Sequence, residues 1–263
     1  MCEKTIALLT DFGSRDVFVG IMKGVILSAD SSVRCVDLTH AVPPQDIQAG
    51  AFELYSAYRY FPQGTVFCAV VDPGVGSERE PIAVETSRYR FVGPDNGLLF
   101  PAANDDTIKR IVAIENEDIC LKPVAPTFHG RDIFAPAAAR LAAGMDVEQL
   151  GSVRKDMVRL DFPGPEQTAK GLKVKFLHID TFGNIVLNIR REELDRYLAG
   201  SGCDLRIGSL HITSFREHYT QAEIGELFLI DGSFGYVEIS ARDQSAADIL
   251  NVEPGDTGIL NKQ

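Results

Sequence analysis

The chain has 263 residues, 45% hydrophobic and 24% charged, with a formal net charge of -11. That length allows one large domain or two modest ones with ample core, and the composition is ordinary for a soluble globular protein. An acidic balance without a lysine–arginine cluster argues against nucleic-acid binding, and apolar runs of strand length fall far short of the roughly 18–20 residues of a membrane span.

Met1-Cys2-Glu3-Lys4 leads straight into an apolar run, without the basic and apolar regions of a secretory signal, so none is expected. Residues 5–9 read as a strand. Phe18, Ile21, Met22, Val25 and Ala29 recur at helical spacing, with Ser14 as the expected cap. Residues 33–38 form a second strand. Ile47, Ala51, Leu54, Tyr55 and Tyr58 mark a second helix, and residues 65–71 a third strand. Two strand–helix–strand units imply a mostly parallel sheet covered by helices. Residues 81–85 and 89–92 read as a short strand pair, followed by a turn-rich corner at Gly93-Pro94-Asp95-Asn96-Gly97. Residues 111–114 give a further strand. Residues 133–143, rich in alanine, give a buried helix closed by Gly144.

The composition changes across residues 161–171, where Pro163, Gly164 and Pro165 suggest a linker. Beyond it come short strands at 172–179, 185–189, 205–207, 227–230 and 236–239, the pattern of a small β-barrel or sandwich. Residues 192–198 and 246–251 read as short helices. The expected fold class is therefore α/β: an N-terminal α/β domain (1–163) with a mostly parallel central sheet, a linker near 164–170 and a smaller C-terminal β domain (171–263).

The five cysteines, Cys2, Cys35, Cys68, Cys120 and Cys203, are scattered singly. With no Cys-x-x-Cys pair, neither a disulfide framework nor a structural zinc site is expected, and a reducing cytoplasm fits. Cys35 and Cys68 fall inside strand-like runs and read as small buried hydrophobes.

Chemistry concentrates where strands end. Residues 66–71 run into Asp72-Pro73-Gly74-Val75-Gly76, with Arg79 following. A strand that delivers a carboxylate into a loop of small residues places it at the crevice where open α/β sheets bind ligands. Arg79 nearby would hold Asp72 ionised; the alternative is a turn aspartate and a surface arginine. The loop lacks the Gly-Lys-Ser/Thr ending of a phosphate loop, which excludes nucleoside triphosphate hydrolysis. Asp11, after the first strand, shares that sheet edge and can accept two hydrogen bonds from vicinal hydroxyls, or merely support the turn. His129, at the start of the alanine-rich helix, is either a cap or a neutral imidazole that accepts from or orients a water. His129-Gly130-Arg131-Asp132 echoes a kinase catalytic loop, but no other kinase motif accompanies it. His40 and His178 sit at strand ends without metal-ligand spacing, so no metal is expected. Asp180 with Asn184 repeats the strand-end carboxylate, suited to an ammonium or to an ordinary turn. Phe234, between Ser233 and Gly235, could offer a platform to a purine or sit in a structural hairpin.

In order and spacing, Leu8-Leu9-Thr10-Asp11-Phe12-Gly13, Val71-Asp72-Pro73-Gly74-Val75-Gly76 with Arg79, Gly93-Pro94-Asp95-Asn96-Gly97, Thr127-Phe128-His129-Gly130-Arg131-Asp132 and Asp180-Thr181-Phe182-Gly183-Asn184 resemble the S-adenosyl-L-methionine hydrolases. These are the hydroxide adenosyltransferases, relatives of fluorinating and chlorinating enzymes. The resemblance runs from Thr5 to about Asn251.

It implies an α/β domain followed by a β-barrel, and a homotrimer with active sites between one subunit's N-terminal domain and a neighbour's C-terminal domain. It implies attack of water on the adenosyl C5′ of S-adenosyl-L-methionine, without cofactor or metal. By position, Asp72, Arg79 and His129 match the water-activating trio, with Asp72 and His129 accepting hydrogen bonds from the water. Asp11 matches the ribose-diol carboxylate. Asp180 and Asn184 match residues that hold the amino-acid end or the ribose, and Ser233 and Phe234 the loop that meets methionine or adenine. Family halogenases replace the charged trio with non-ionic residues, including a tyrosine at the aspartate and a serine where Gly130 stands. The charged set favours water over the alternatives, a halide-using enzyme or a non-catalytic adenosyl-binding protein. Ala241-Arg242-Asp243-Gln244 departs from the family pattern, which has an asparagine there, and bears on adenine contact.

Overall fold

The structure, a computed structural model, describes residues 4–263; Cys2 lies outside them. The chain divides after Asp161 into two units.

The first unit is built on β1 (Thr5–Thr10), buried along its whole length. The following helix, α1 (Phe18–Ala29), buries Val19, Met22 and Ile26, one face at helical spacing. Its N-cap is Val17 without a side-chain cap bond, not the expected Ser14, because residues 11–17 are spent on the loop that leaves the sheet edge. Then come β2 (Arg34–Thr39) and α2 (Ile47–Ala57), whose first turn is capped by Asp46 accepting from the Ala49 N–H at 2.9 Å. Next are β3 (Val66–Val70), β4 (Pro81–Glu85), β5 (Arg90–Pro94), α3 (Phe100–Asp105) and β6 (Arg110–Ala113). The helix expected at 133–143 opens with a π-helical turn, Gly130–Phe134, and continues as α4 (Ala135–Ala142); β7 (Val153–Arg154) follows.

The strands assemble in the order β2-β1-β3-β5-β4-β6-β7. β2, β1, β3 and β5 are parallel, while β4, β6 and β7 extend the sheet antiparallel. Thr10 pairs with Val70, so β1 and β3 end side by side and the chain leaves both at one edge, through Asp11 and Asp72. Cys68 is fully buried and burial pushes its thiol up to about 12, whereas Cys35 is only partly buried.

The second unit begins with β8 (Glu166–Thr168), a short strand within the stretch expected as linker, paired with β9 (Gly171–Ile179). It continues with β10 (Ile185–Leu187), α5 (Arg191–Leu198), β11 (Cys203–Ile207), β12 (Leu210–Ile212), β13 (Leu227–Asp231), β14 (Val237–Ala241), α6 (Ala246–Leu250) and β15 (Thr257–Lys262). The antiparallel order is β12-β11-β15-β9-β10-β14-β13. Its two edges meet through the segment after β12: the Leu229 N–H donates to Ser214 O at 2.8 Å and the Arg216 N–H to Leu229 O at 2.9 Å. The sheet thereby curls into a barrel around Val174, Phe176, Leu187, Val237, Ile239 and Leu260.

Candidate active site

The loop after β3 is fixed from both ends. Asn96 Nδ2 donates to Val71 O at 2.8 Å, securing the strand end. The Val75 N–H donates back to Asp72 O, and the Ser77 N–H and hydroxyl both donate to Gly74 O. Gly76 has φ +78, and a Cβ there would lie 2.5 Å from Pro126 O. Only glycine lets this loop press against the backbone that leads to His129.

The result is a closed ionic group. Arg79 Nε donates to Asp72 Oδ1 at 2.8 Å and its Nη2 donates to Oδ2, the forked geometry of an arginine–carboxylate pair. The same Nη2 donates to His129 Nδ1 at 3.0 Å. The guanidinium carbon lies 5.2 Å from the Phe134 ring centroid, so the turn that opens α4 supplies both His129 and the aromatic wall. The Asp72 and Arg79 side chains are 5% and 10% exposed, and Arg79 Nη1 is buried with no partner.

His129 is held below its ordinary pKa first by burial and then by the Arg79 charge, with Asp72 and Asp132 opposing. The expected neutral imidazole is thus explained by burial and an arginine rather than by a helix end. An arginine can only donate, so Nδ1 is an acceptor and the neutral ring carries its hydrogen on Nε2. With Nδ1 taken by Arg79, the hydrogen on Nε2 makes the other side of the ring a donor.

Asp11 stands at the same sheet edge, and its Oδ2 accepts from the Gln45 N–H at 2.8 Å. The Thr10 hydroxyl before it accepts from the Phe12 N–H and lies 2.8 Å from His40 Nδ1. His40 Nε2 in turn lies 2.9 Å from Asp37, which pairs with Lys23 at 2.7 Å. The ring of His40 thus bridges the last residue of β1 and Asp37 of β2, beside the loop that carries Asp11. Among the described residues no group of three or more His, Cys, Asp or Glu side chains is arranged to hold a metal ion.

In the second unit Asp180 organises its own turn. Its Oδ1 accepts from the Phe182 and Asn184 N–H groups at 2.8 and 2.9 Å, and its Oδ2 accepts from Asn184 Nδ2 at 2.9 Å. Next to this turn lies a cavity of about 540 Å³ lined by Phe182, Asn184, Tyr219, Ala241, Asp243, Gln244 and Ser245. The stretch 241–244, where the sequence departs from the family pattern, forms part of its wall. Ser233 and Phe234 sit in the hairpin between β13 and β14 and do not line this cavity. The aromatic rings facing it are Phe182 and Tyr219. Tyr219 belongs to a single 3-10 turn, Tyr219–Gln221, with no periodicity to announce it.

With this geometry in place, comparison with known proteins is informative. The model of the SAM hydroxide adenosyltransferase N-terminal domain matches residues 6–151, and that of the C-terminal domain residues 174–258. A protein of Salinispora tropica named (R)-S-adenosyl-L-methionine hydrolase is 38% identical over 258 residues, covering 95% of each chain. One of the same name from Methanocaldococcus jannaschii is 38% identical, over 94% of this chain and 92% of that one. A fluorinase from Nocardia brasiliensis is more distant, at 28% identity over 95% and 94% of the two chains. The crystal structure of a conserved protein from Thermotoga maritima superposes with a TM-score of 0.91 at 32% identity, covering 98% of this chain and 100% of that one.

Proposed function

The chain belongs to the SAM hydroxide adenosyltransferase family, and we propose a mechanism by which it hydrolyses S-adenosyl-L-methionine to adenosine and L-methionine. The sulfonium is already a good leaving group. The oxygen of one water attacks C5′, the C–S bonding pair returns to sulfur, and methionine departs as a neutral thioether. No general acid is needed at the leaving side, so the protein's task is to hold one water in line and take its hydrogen bonds.

Asp72 is the acceptor for that water and draws off its proton as the C–O bond forms. Arg79 holds the Asp72 carboxylate in place through its forked pair and offsets the charge that develops on the attacking oxygen. His129, neutral and donating through Nε2, orients the water's lone pairs. The observation that carries this reading is the buried Arg79, shared between Asp72 and His129. An ionic group of this kind suits water better than a halide, which needs a pocket that strips hydration without competing charge.

Asp11 receives the ribose diol, with the Gln45 N–H fixing one carboxylate oxygen. Asp180 and Asn184 hold the amino-acid end of the substrate. Ser233 and Phe234 close over it. The working assembly is a homotrimer, in which Asp72, Arg79 and His129 of one subunit meet Asp180 and Ser233 of a neighbour. No helix among the described residues is long and apolar enough to cross a membrane, and the singly placed cysteines support a cytoplasmic enzyme.

Incubation with S-adenosyl-L-methionine should release adenosine and methionine in equal amounts. Folded protein with no turnover above the uncatalysed rate overturns the reading, and a 5′-halo-adenosine formed with added chloride or fluoride replaces water by halide.

A further inference from the structure

Asp11 is the acid assigned to the ribose, yet much of what holds it comes from another loop. β1 and β2 are parallel neighbours, so residues 10–13 and 40–45 leave the sheet at one edge. The second segment grips the first at three points. His40 Nδ1 lies 2.8 Å from the Thr10 hydroxyl. The His40 carbonyl accepts from the Gly13 N–H at 2.8 Å. The Gln45 N–H donates to Asp11 Oδ2 at 2.8 Å. Asp11 is thus bracketed by Thr10 and Gly13, both bound to His40, and its carboxylate is tied to Gln45.

The grip is continuous with the interior. The His40 side chain is only 10% exposed, and Thr10 is fully buried. His40 Nε2 lies 2.9 Å from Asp37, which pairs with Lys23 of α1 at 2.7 Å. A carboxylate paired with an ammonium only accepts, so Nε2 carries a hydrogen and, in the neutral ring, Nδ1 accepts from the Thr10 hydroxyl. That hydroxyl accepts in turn from the Phe12 N–H at 3.2 Å. A directed chain of hydrogen bonds therefore runs from Phe12 through Thr10 and His40 to Asp37. Gly13 and Gln45 both have left-handed backbones, with φ +68 and +67. That region suits glycine but is uncommon for glutamine, and the N–H of this glutamine is the one spent on Asp11.

We propose that His40 is a positioning residue for ribose recognition: through Thr10 and Gly13 it holds the Asp11 carboxylate facing the two ribose hydroxyls. Gln45 occupies one acceptor position of Oδ2, which leaves Oδ1 and the rest of Oδ2 for the diol. Two hydroxyls reach two oxygens of one planar carboxylate only when that plane faces them, so a loop free to pivot loses one of the bonds. His40 acts through Asp11 and not on the reacting atoms. The inference rests on the assignment of Asp11 to the ribose and adds the residue that aims it.

The test compares S-adenosyl-L-methionine with its 2′,3′-dideoxy analogue, a sulfonium that lacks the diol. His40→Ala removes the ring and keeps the carbonyl. It should raise KM for S-adenosyl-L-methionine roughly ten-fold, the loss expected for one hydrogen bond to a charged group, and leave kcat within about two-fold. KM for the dideoxy sulfonium should not change. His40→Asn, whose amide reaches the place of Nδ1, should recover part of the loss. Thr10→Val, of the same shape without the hydroxyl, should repeat the His40→Ala pattern and decides the matter if His40→Ala does not fold. In an Asp11→Ala background His40→Ala should raise KM no further, because the two residues act in series. Unchanged KM, equal loss for both sulfoniums, or additive losses in the double variant overturn the proposal. If Asp11→Ala leaves the discrimination between the two sulfoniums intact, the ribose assignment falls and this inference with it. If Asp11→Ala abolishes the discrimination while His40→Ala and Thr10→Val do not weaken it, this inference alone falls. Should the wild type bind the substrate without turning it over, the reaction assigned above falls, and calorimetric Kd values for the same two sulfoniums decide the inference by the same comparisons.

Discussion

The two units use one local design, a strand that ends in an aspartate followed by a glycine-bearing turn, and neutralise it differently. Asp72 is satisfied by the guanidinium of Arg79, seven positions on, which itself is shared with His129. Asp180 is satisfied by the amides and side-chain nitrogen of its own turn. A counter-charge makes a group of three that stands or falls together. Backbone donors make a self-contained turn, and burial together with the Asp180 charge raises the pKa of nearby Glu238 to about 7.

That contrast can be broken experimentally. The largest effect should come from Asp72→Asn, which keeps the shape but removes the acceptor charge. Turnover measured as adenosine release should fall by about 10²–10⁴-fold, with KM little altered; retained kcat would place the base elsewhere. Next is Arg79→Ala, which leaves Asp72 buried without its partner. Urea unfolding should show a loss of about 3–5 kcal/mol, the range for breaking a buried pair on one side. Loss near zero would mean that Asp72 is hydrated once Arg79 is gone. The smallest effects are in pH dependence, and they should have opposite signs in the two units. His129 has a folded pKa below its unfolded value near 6.5, so the unfolded chain binds more protons between the two. Its contribution to stability is present above about pH 6.5 and lost as pH falls, and activity should fall on the same acid limb as the Arg79–His129 bond breaks. Glu238 has a folded pKa raised from 4.5 to about 7, so its contribution is present below pH 4.5 and lost as pH rises through 7. Glu238→Gln should therefore be more stable than the parent above about pH 7 and no more stable near pH 4, by thermal unfolding in matched buffers.

Much of the first unit was legible because its parallel strands are buried on both faces, so 5–9 and 65–71 read as continuous apolar runs. The strand ends carrying Asp11 and Asp72 followed from those runs. Less legible were elements that owe their existence to neighbours. β15 spells Thr-Gly-Ile-Leu-Asn-Lys, a poor strand by composition, yet it is held between β11 and β9 and joins the barrel. α3 contains proline, asparagine and aspartate, and buries its first four residues. The tautomer of His129 is settled by an arginine 50 positions away, which no local pattern contains. Glu238 reads as the polar position of an alternating strand, yet it is buried with its carboxylate against the Gly232 backbone.

The barrel's edges are joined by the segment around 214–216 rather than by two regular strands, through the Leu229 and Arg216 amides. In terms of hydrogen exchange, such a seam is a natural line for sub-global opening, well below the free energy needed to part the long ladder of β9 with β15. The connection from β12 to β13 carries Tyr219 across that seam. Opening along this line would release the Tyr219 turn at the cavity wall without parting the ladder of β9 with β15.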